Sequence, residues 1–223
     1  FHADARVKAA ELLLEERVPV RAPLAALRAA ALRTPVLEEP ELDVVEHVGL
    51  GARPLARLHM LGHGELSTAV TVLGEGFTTW RDLDVHRFRE DQALEAGGLY
   101  VYLRDRASGR IWSAGYQPTA AQPDFYDAKL AVDRVAIVRR DGDIETTTEI
   151  VVSPERPAEV RRITLANHGA EAHELELTTY GEVVLAPRAA DLAQRAPNVV
   201  ETERLAGHDA LLAHRRARRA NEE

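Results

Sequence analysis

Cysteine is missing altogether from the 223 residues. That excludes disulfides, thiolate metal ligands and a cysteine nucleophile, and it fits a reducing compartment. The chain is long enough to bury a sizeable core without such staples. Positive charge is scarce: 28 Lys and Arg stand against 36 Asp and Glu, a formal net charge of -8. A nucleic-acid partner is therefore not expected, because a phosphate backbone needs a cationic face. The one basic cluster, Arg215, Arg216, Arg218 and Arg219, is followed by Glu222 and Glu223 and reads as a solvated face. No apolar run approaches the roughly 20 residues that span a bilayer, so no transmembrane helix and no direct membrane contact are expected. The opening Phe1-His2-Ala3-Asp4 has neither the basic start nor the apolar core of a signal peptide. We expect the chain to be an excerpt of a longer polypeptide, with any membrane link outside it.

Histidines are present but scattered. His59 and His63 are separated by a Gly62 turn, and His168 and His173 flank Gly169, so no helical HxxxH or HExxH pattern exists and no metal site is expected. Gly62-His63-Gly64 and Gly74-Glu75-Gly76 lack a following helix with Lys-Ser/Thr, so neither forms a phosphate-cradling loop.

From Asp4 to Val18, Val7, Ala10, Leu14 and Val18 recur at helical spacing, and Pro19 ends the pattern. Prolines around an alanine-rich segment, Leu24 to Arg33, continue a helical connector over residues 1–40. Residues 41–223 then change to a period of two. Strands are predicted over 57–60, 67–73, 98–105, 129–140, 144–152, 160–167, 171–184 and 211–214. Asp141-Gly142 predicts a hairpin with both residues at its turn, and Ser108-Gly109 predicts another. Many strands joined by short turns favour an antiparallel β-sandwich over a barrel of βα units. Leu211-Leu212-Ala213 runs into charged residues without turn chemistry, which reads as a sandwich truncated at its C-terminal end.

Both tryptophans and most tyrosines fall between Gly74 and Tyr126. In order come Gly76-Phe77-Thr78-Thr79-Trp80, Arg81-Asp82, Val85-His86-Arg87-Phe88-Arg89, Tyr100-Val101-Tyr102-Leu103-Arg104-Asp105 and Trp112-Ser113-Ala114-Gly115-Tyr116-Gln117-Pro118. Further on stand Val160-Arg161-Arg162-Ile163-Thr164-Leu165-Ala166-Asn167 and Leu177-Thr178-Thr179-Tyr180-Gly181-Glu182-Val183-Val184-Leu185-Ala186-Pro187. Each motif is short, but their order and spacing resemble the amino-terminal sandwich domain of glycoside hydrolase family 94. That family comprises cellobiose, chitobiose and β-1,2-oligoglucan phosphorylases and the matching region of cyclic β-1,2-glucan synthases. Ala114, where the simple phosphorylases carry proline, points toward the synthases.

The resemblance implies a mainly β fold, an antiparallel supersandwich of the galactose-mutarotase type behind an amino-terminal helical linker. It implies a non-catalytic part of an enzyme that acts on β-1,2-glucans by inverting phosphorolysis, with inorganic phosphate as co-substrate of the parent and no other cofactor. No catalytic residue is expected in this chain, because the family's general acid belongs to a helical barrel further along the polypeptide. That barrel, a β-glucan oligosaccharide and a second copy in a homodimer are the implied partners. The implied location is the cytoplasmic side of a bacterial inner membrane, as part of a larger protein. A stand-alone oligosaccharide phosphorylase and a carbohydrate-binding or scaffolding sandwich are the alternatives.

Candidate substrate-binding residues are Trp80, Arg81, Asp82, Arg87, Arg89, Tyr116 and Gln117. An aromatic face such as Trp80, Trp112 or Tyr116 can stack on a pyranose ring. Core packing is the expectation for Trp112, and both readings stand for Trp80. Arg87 and Arg89 share a predicted strand face and could fork a phosphate, although pairing with nearby carboxylates is the more ordinary use. Asp82, Asp84, Glu90 and Asp91 lie among arginines and read as salt-bridged strand surface rather than as a catalytic pair.

Overall fold

The computed structural model describes residues 45–51, 57–87, 98–193 and 200–216. The connector expected over 1–40 and the candidate Arg89 lie outside the described residues. Among those described, fifteen strands and one short helix follow one another. The first half holds β1 (Glu46–Gly49), β2 (Leu58–His63), β3 (Leu66–Thr71), β4 (Gly76–Trp80), β5 (Leu83–His86), β6 (Leu99–Asp105) and β7 (Ile111–Ser113). The second half holds β8 (Phe125–Leu130), β9 (Arg134–Asp141), β10 (Ile144–Val152), β11 (Glu159–Asn167), β12 (Leu175–Gly181), β13 (Val183–Ala186), α1 (Arg188–Ala193), β14 (Val200–Leu205) and β15 (Ala210–Arg215).

One layer is the five-stranded sheet β1-β8-β9-β10-β11. Its strands alternate strictly: Val135, Ile137 and Arg139 point inward from β9, and Ile144, Thr146, Thr148 and Ile150 from β10. This is the period of two expected of strands with one buried face. The opposing layer is made of two sheets, β13-β5-β4-β3-β2 and β12-β6-β7. Leu61, Val70, Val72 and Leu73 of the first pack on Tyr126, Ala128, Leu130, Ile137 and Ile150. Val101, Leu103, Trp112 and Ala114 of the second pack on Ile144. The Tyr126 hydroxyl crosses between layers and donates to the Val72 carbonyl at 2.7 Å. Every strand pair is antiparallel, as the alternation implied, and the mainly β sandwich is the fold observed.

The two sheets of the split layer meet at one parallel bridge between Gly76 and Gly98. Gly98 sits at φ +123, and a Cβ there would lie 2.0 Å from the Gly76 carbonyl oxygen. Only glycine can occupy this seam, because both the backbone conformation and the space exclude a side chain.

Several boundaries differ from expectation. The single strand predicted over 129–140 is two, β8 and β9, which turn at Ala131 to Asp133 without glycine or proline. The run predicted over 171–184 breaks at Glu182 into β12, which pairs with β6, and β13, which pairs with β5. Strands β1, β4, β5, β7 and β14 and helix α1 fall outside the predicted ranges. The β9–β10 hairpin exists, but Asp141 pairs with Ile144, so Gly142 and Asp143 form the turn and Gly142 takes its positive φ of 63. Asp141 is the buried last residue of β9 instead. The register slips by one because Asp141 has a partner inside the sandwich, described below.

Candidate functional site

A depression of about 460 Å³ opens where three sheets converge. Leu66, Thr78, Trp80, Val85 and His86 line it from β3, β4 and β5, Leu99 from β6, and Pro157, Glu159 and Arg161 from β11 and the segment before it. Its volume falls within the range of about 300–1,000 Å³ typical of small-molecule sites.

The polar floor is built by spacing. Glu159 and Arg161 are two apart on β11 and so project to the same face. Their side chains are only 9% and 11% exposed, and the Arg161 Nε donates to the Glu159 carboxylate. Thr68 of β3 donates to the same carboxylate at 2.8 Å, and Thr78 of β4 donates to it as well. Burial pushes the Glu159 carboxyl up, but the Arg161 charge and the hydrogen bonds from Thr78, Arg161 and Thr68 outweigh it and hold Glu159 below the usual carboxylate range. Glu159 is therefore ionised, and the pair carries no net charge.

Arg161 is not fully used. Its Nη1 donates to the Leu99 carbonyl at 2.8 Å, while Nη2 is buried without a hydrogen-bond partner among the described residues. His86 Nδ1 is in the same condition. Burial lowers the His86 pKa, the Glu159 charge opposes that and the Arg161 charge adds to it, so the imidazole is neutral near pH 7. Buried polar atoms without partners are uncommon and call for a reason.

Of the candidate residues that are described, only Trp80 lines this depression. Arg81 follows it at φ 57, with its guanidinium 4.4 Å from the Trp80 ring centroid and its Nε 2.9 Å from Glu65. Asp82 is exposed at the same turn. Arg87 is committed elsewhere: its Nη2 and Nε donate to Asp191 of α1 at 2.9 and 3.0 Å, and its Nη1 to Glu182 at 2.9 Å. Asp84 pairs with Arg188 at 3.0 Å. Tyr116 and Gln117 belong to a different loop, where both backbone N–H groups donate to the Leu73 carbonyl at 2.9 Å. Trp112 is 2% exposed and fills the core. Thr78, His86, Glu159 and Arg161 were not singled out from the sequence. The readable signal was Glu-x-Arg on a strand, which places opposite charges on one face in a chain otherwise alternating with apolar residues.

The profile of the family described as "Glycosyl hydrolase 94, supersandwich domain" matches residues 44–223. The chain belongs to this family. Cyclic beta-(1,2)-glucan synthase NdvB of Rhizobium meliloti (strain 1021) is 34% identical over 195 residues, 86% of this chain and 7% of that protein. Solabiose phosphorylase of Paenibacillus borealis is 25% identical over 124 residues, 56% of this chain and 16% of the enzyme. The 3-O-beta-D-glucopyranosyl-beta-D-glucuronide phosphorylase of the same organism is 28% identical over 89 residues, 40% of this chain and 12% of the enzyme. The chain thus spans a small fraction of each of these relatives. No helix among the described residues is long and apolar enough to cross a membrane.

Proposed function

We propose that this chain is the sandwich part of a glycoside-phosphorylase-type module in a longer bacterial protein that makes or trims β-1,2-glucans. The chemistry belongs to a helical barrel elsewhere in that polypeptide. There a general acid protonates the glycosidic oxygen while inorganic phosphate attacks the anomeric carbon, releasing a sugar 1-phosphate. The sandwich supports the barrel and offers it and the glucan a surface. The parent works at the cytoplasmic side of the inner membrane and pairs as a homodimer. The observation that carries this reading is the 34% identity to a cyclic glucan synthase across 86% of the chain.

A second reading, the sandwich of a stand-alone phosphorylase, draws support from the two Paenibacillus matches. Both readings are tested by incubating β-1,2-glucan and phosphate with the parent protein and with this chain alone. Glucose 1-phosphate is expected from the parent and none from the chain. Release by the chain alone would overturn the non-catalytic assignment, and a parent inert on every β-glucan would overturn the substrate. Coding sequence upstream of residue 1 for a further catalytic domain and membrane spans separates the synthase from the phosphorylase.

A further inference from the structure

We infer that the depression between Trp80 and the Glu159–Arg161 pair is a non-catalytic subsite for one neutral pyranose unit, holding a glucan on the sandwich. The inference rests on the carbohydrate reading above and deepens it, because it assigns the sugar to named residues of this chain.

Three features of the lining select the ligand. The walls are apolar, with Leu66, Val85, Leu99, Pro157 and the indole of Trp80, which suits the C–H face of a sugar ring. Two of the lining residues, Arg161 and His86, each carry one buried side-chain nitrogen without a hydrogen-bond partner among the described residues, Nη2 and Nδ1. A hydroxyl can accept from the first and donate to the second, whereas a purely apolar ligand would leave both stranded. The charge is already balanced, since the Arg161 guanidinium is paired with the ionised Glu159 carboxylate. An anion would have to approach that carboxylate, and a cation would meet Arg161, so neither gains what a neutral polyol gains.

Two other depressions lack these features. One runs over Lys129, Ala136 and Thr147 and one over Leu61, Val132 and Val151; neither is lined by a buried side-chain atom without a partner. The subsite also lacks the means for bond cleavage. Glu159 is the only carboxylate among the described residues that line it, is held ionised, and accepts from Thr68, Thr78 and Arg161. An ionised carboxylate cannot protonate a leaving group, and among the described residues no second carboxylate lines the depression to complete a pair.

The test is an NMR titration of the intact chain, near neutral pH, with a linear β-1,2-linked glucose oligosaccharide and, separately, with inorganic phosphate. The oligosaccharide is expected to shift the Trp80 indole N–H and the His86 ring signals, and phosphate to shift neither. Trp80→Ala and His86→Leu should each weaken binding about tenfold, the size of one lost stacking or polar contact. Trp80→Phe should keep most of the affinity and guards against a folding artefact. Unchanged affinity in both Trp80→Ala and His86→Leu, no shift at Trp80 or His86, or phosphate shifting the same signals would each overturn the subsite. If the parent turns over β-1,2-glucan while these signals stay still, the subsite alone is wrong. If the subsite binds the oligosaccharide but the parent acts on no β-glucan, the proposed function alone is wrong.

Discussion

Two arginine–carboxylate pairs sit inside this sandwich, and both are built by residues two apart on one strand. In β9, Arg139 and Asp141 are both 0% exposed at their side chains. Arg139 donates to Asp141 through Nε and Nη2, to the Gly115 carbonyl through Nη1 at 2.6 Å, and to the Ala121 carbonyl through Nη2 at 2.9 Å. Each of its three nitrogens has a partner. In β11, Arg161 has partners for two nitrogens and, among the described residues, none for the third. The first pair is a clamp that pins the Gly115 to Ala121 loop onto the sheet. The second is equally well held on its acid side but stops short on its basic side, where a depression begins. A buried pair completed by the protein serves the fold, and one left incomplete beside a cavity is available to a ligand.

The comparison breaks most sharply at Arg139. Arg139→Met leaves the Asp141 charge buried with only the half-exposed Arg110 at 3.0 Å for company. Stripping one partner from a buried pair costs about 3–5 kcal/mol. We expect a loss of that size in the urea unfolding free energy of the chain. Adding Asp141→Leu should restore part of it, because no charge is then left stranded, although the Gly115 and Ala121 carbonyls still lose their donor. A single-variant loss below about 1 kcal/mol would mean that the clamp carries little weight.

Glu159→Gln should cost less, about 1–3 kcal/mol, because the amide still accepts from Thr68 and Thr78 and the stranded Arg161 opens toward the depression. Its clearer signature is in pH. Glu159 is held below its ordinary value of 4.5 in the folded chain. The unfolded chain therefore takes up the proton first on acidification. The stabilisation is complete above about pH 4.5 and is lost as pH falls through the folded value. Urea midpoints measured from neutral pH downward should fall less steeply in Glu159→Gln than in the wild type. Parallel curves would show that Glu159 is not held ionised.

These pairs also mark how far the sequence could be read. Alternation in β9 and β10 is legible because each inward position is apolar, threonine or a member of the Arg139–Asp141 pair, and the antiparallel sandwich follows from it. The same alternation ran on through Ala131 to Asp133, so the turn between β8 and β9 was hidden, lacking glycine or proline to mark it. The Asp141-Gly142 dipeptide signalled the right hairpin with the wrong register, since nothing local announces that Asp141 is claimed by Arg139. At the candidate site, Trp80 was legible from its rarity. Glu159 and Arg161 were not, because they meet Trp80 and His86 only where the sheet of β11 packs against the sheet of β4 and β5, some 80 residues apart in the chain. Arg87 was legible as an ion-pairing residue in kind, but its partners, Asp191 and Glu182, lie beyond any local pattern.

The smallest effect sharpens the comparison from outside, at the turn that follows Trp80. Arg81 makes an ion pair with Glu65, but the two side chains are 56% and 55% exposed. Such a pair is worth about 0–1 kcal/mol, and its guanidinium over the Trp80 ring adds about 0.5–1 kcal/mol. Against this, Arg81 sits at φ 57, a conformation that costs a non-glycine residue about 1–2 kcal/mol. Arg81→Ala removes the contacts and keeps the strain, so it should lower stability by about 1 kcal/mol. Arg81→Gly removes the contacts and relieves the strain, so the change should be near zero despite the greater freedom of glycine in the unfolded chain. We therefore expect the glycine variant to unfold at higher urea than the alanine variant. That order would reverse if the backbone at φ 57 carried no strain, because the loss of contacts is common to both variants and only the greater freedom of glycine in the unfolded chain would then separate them.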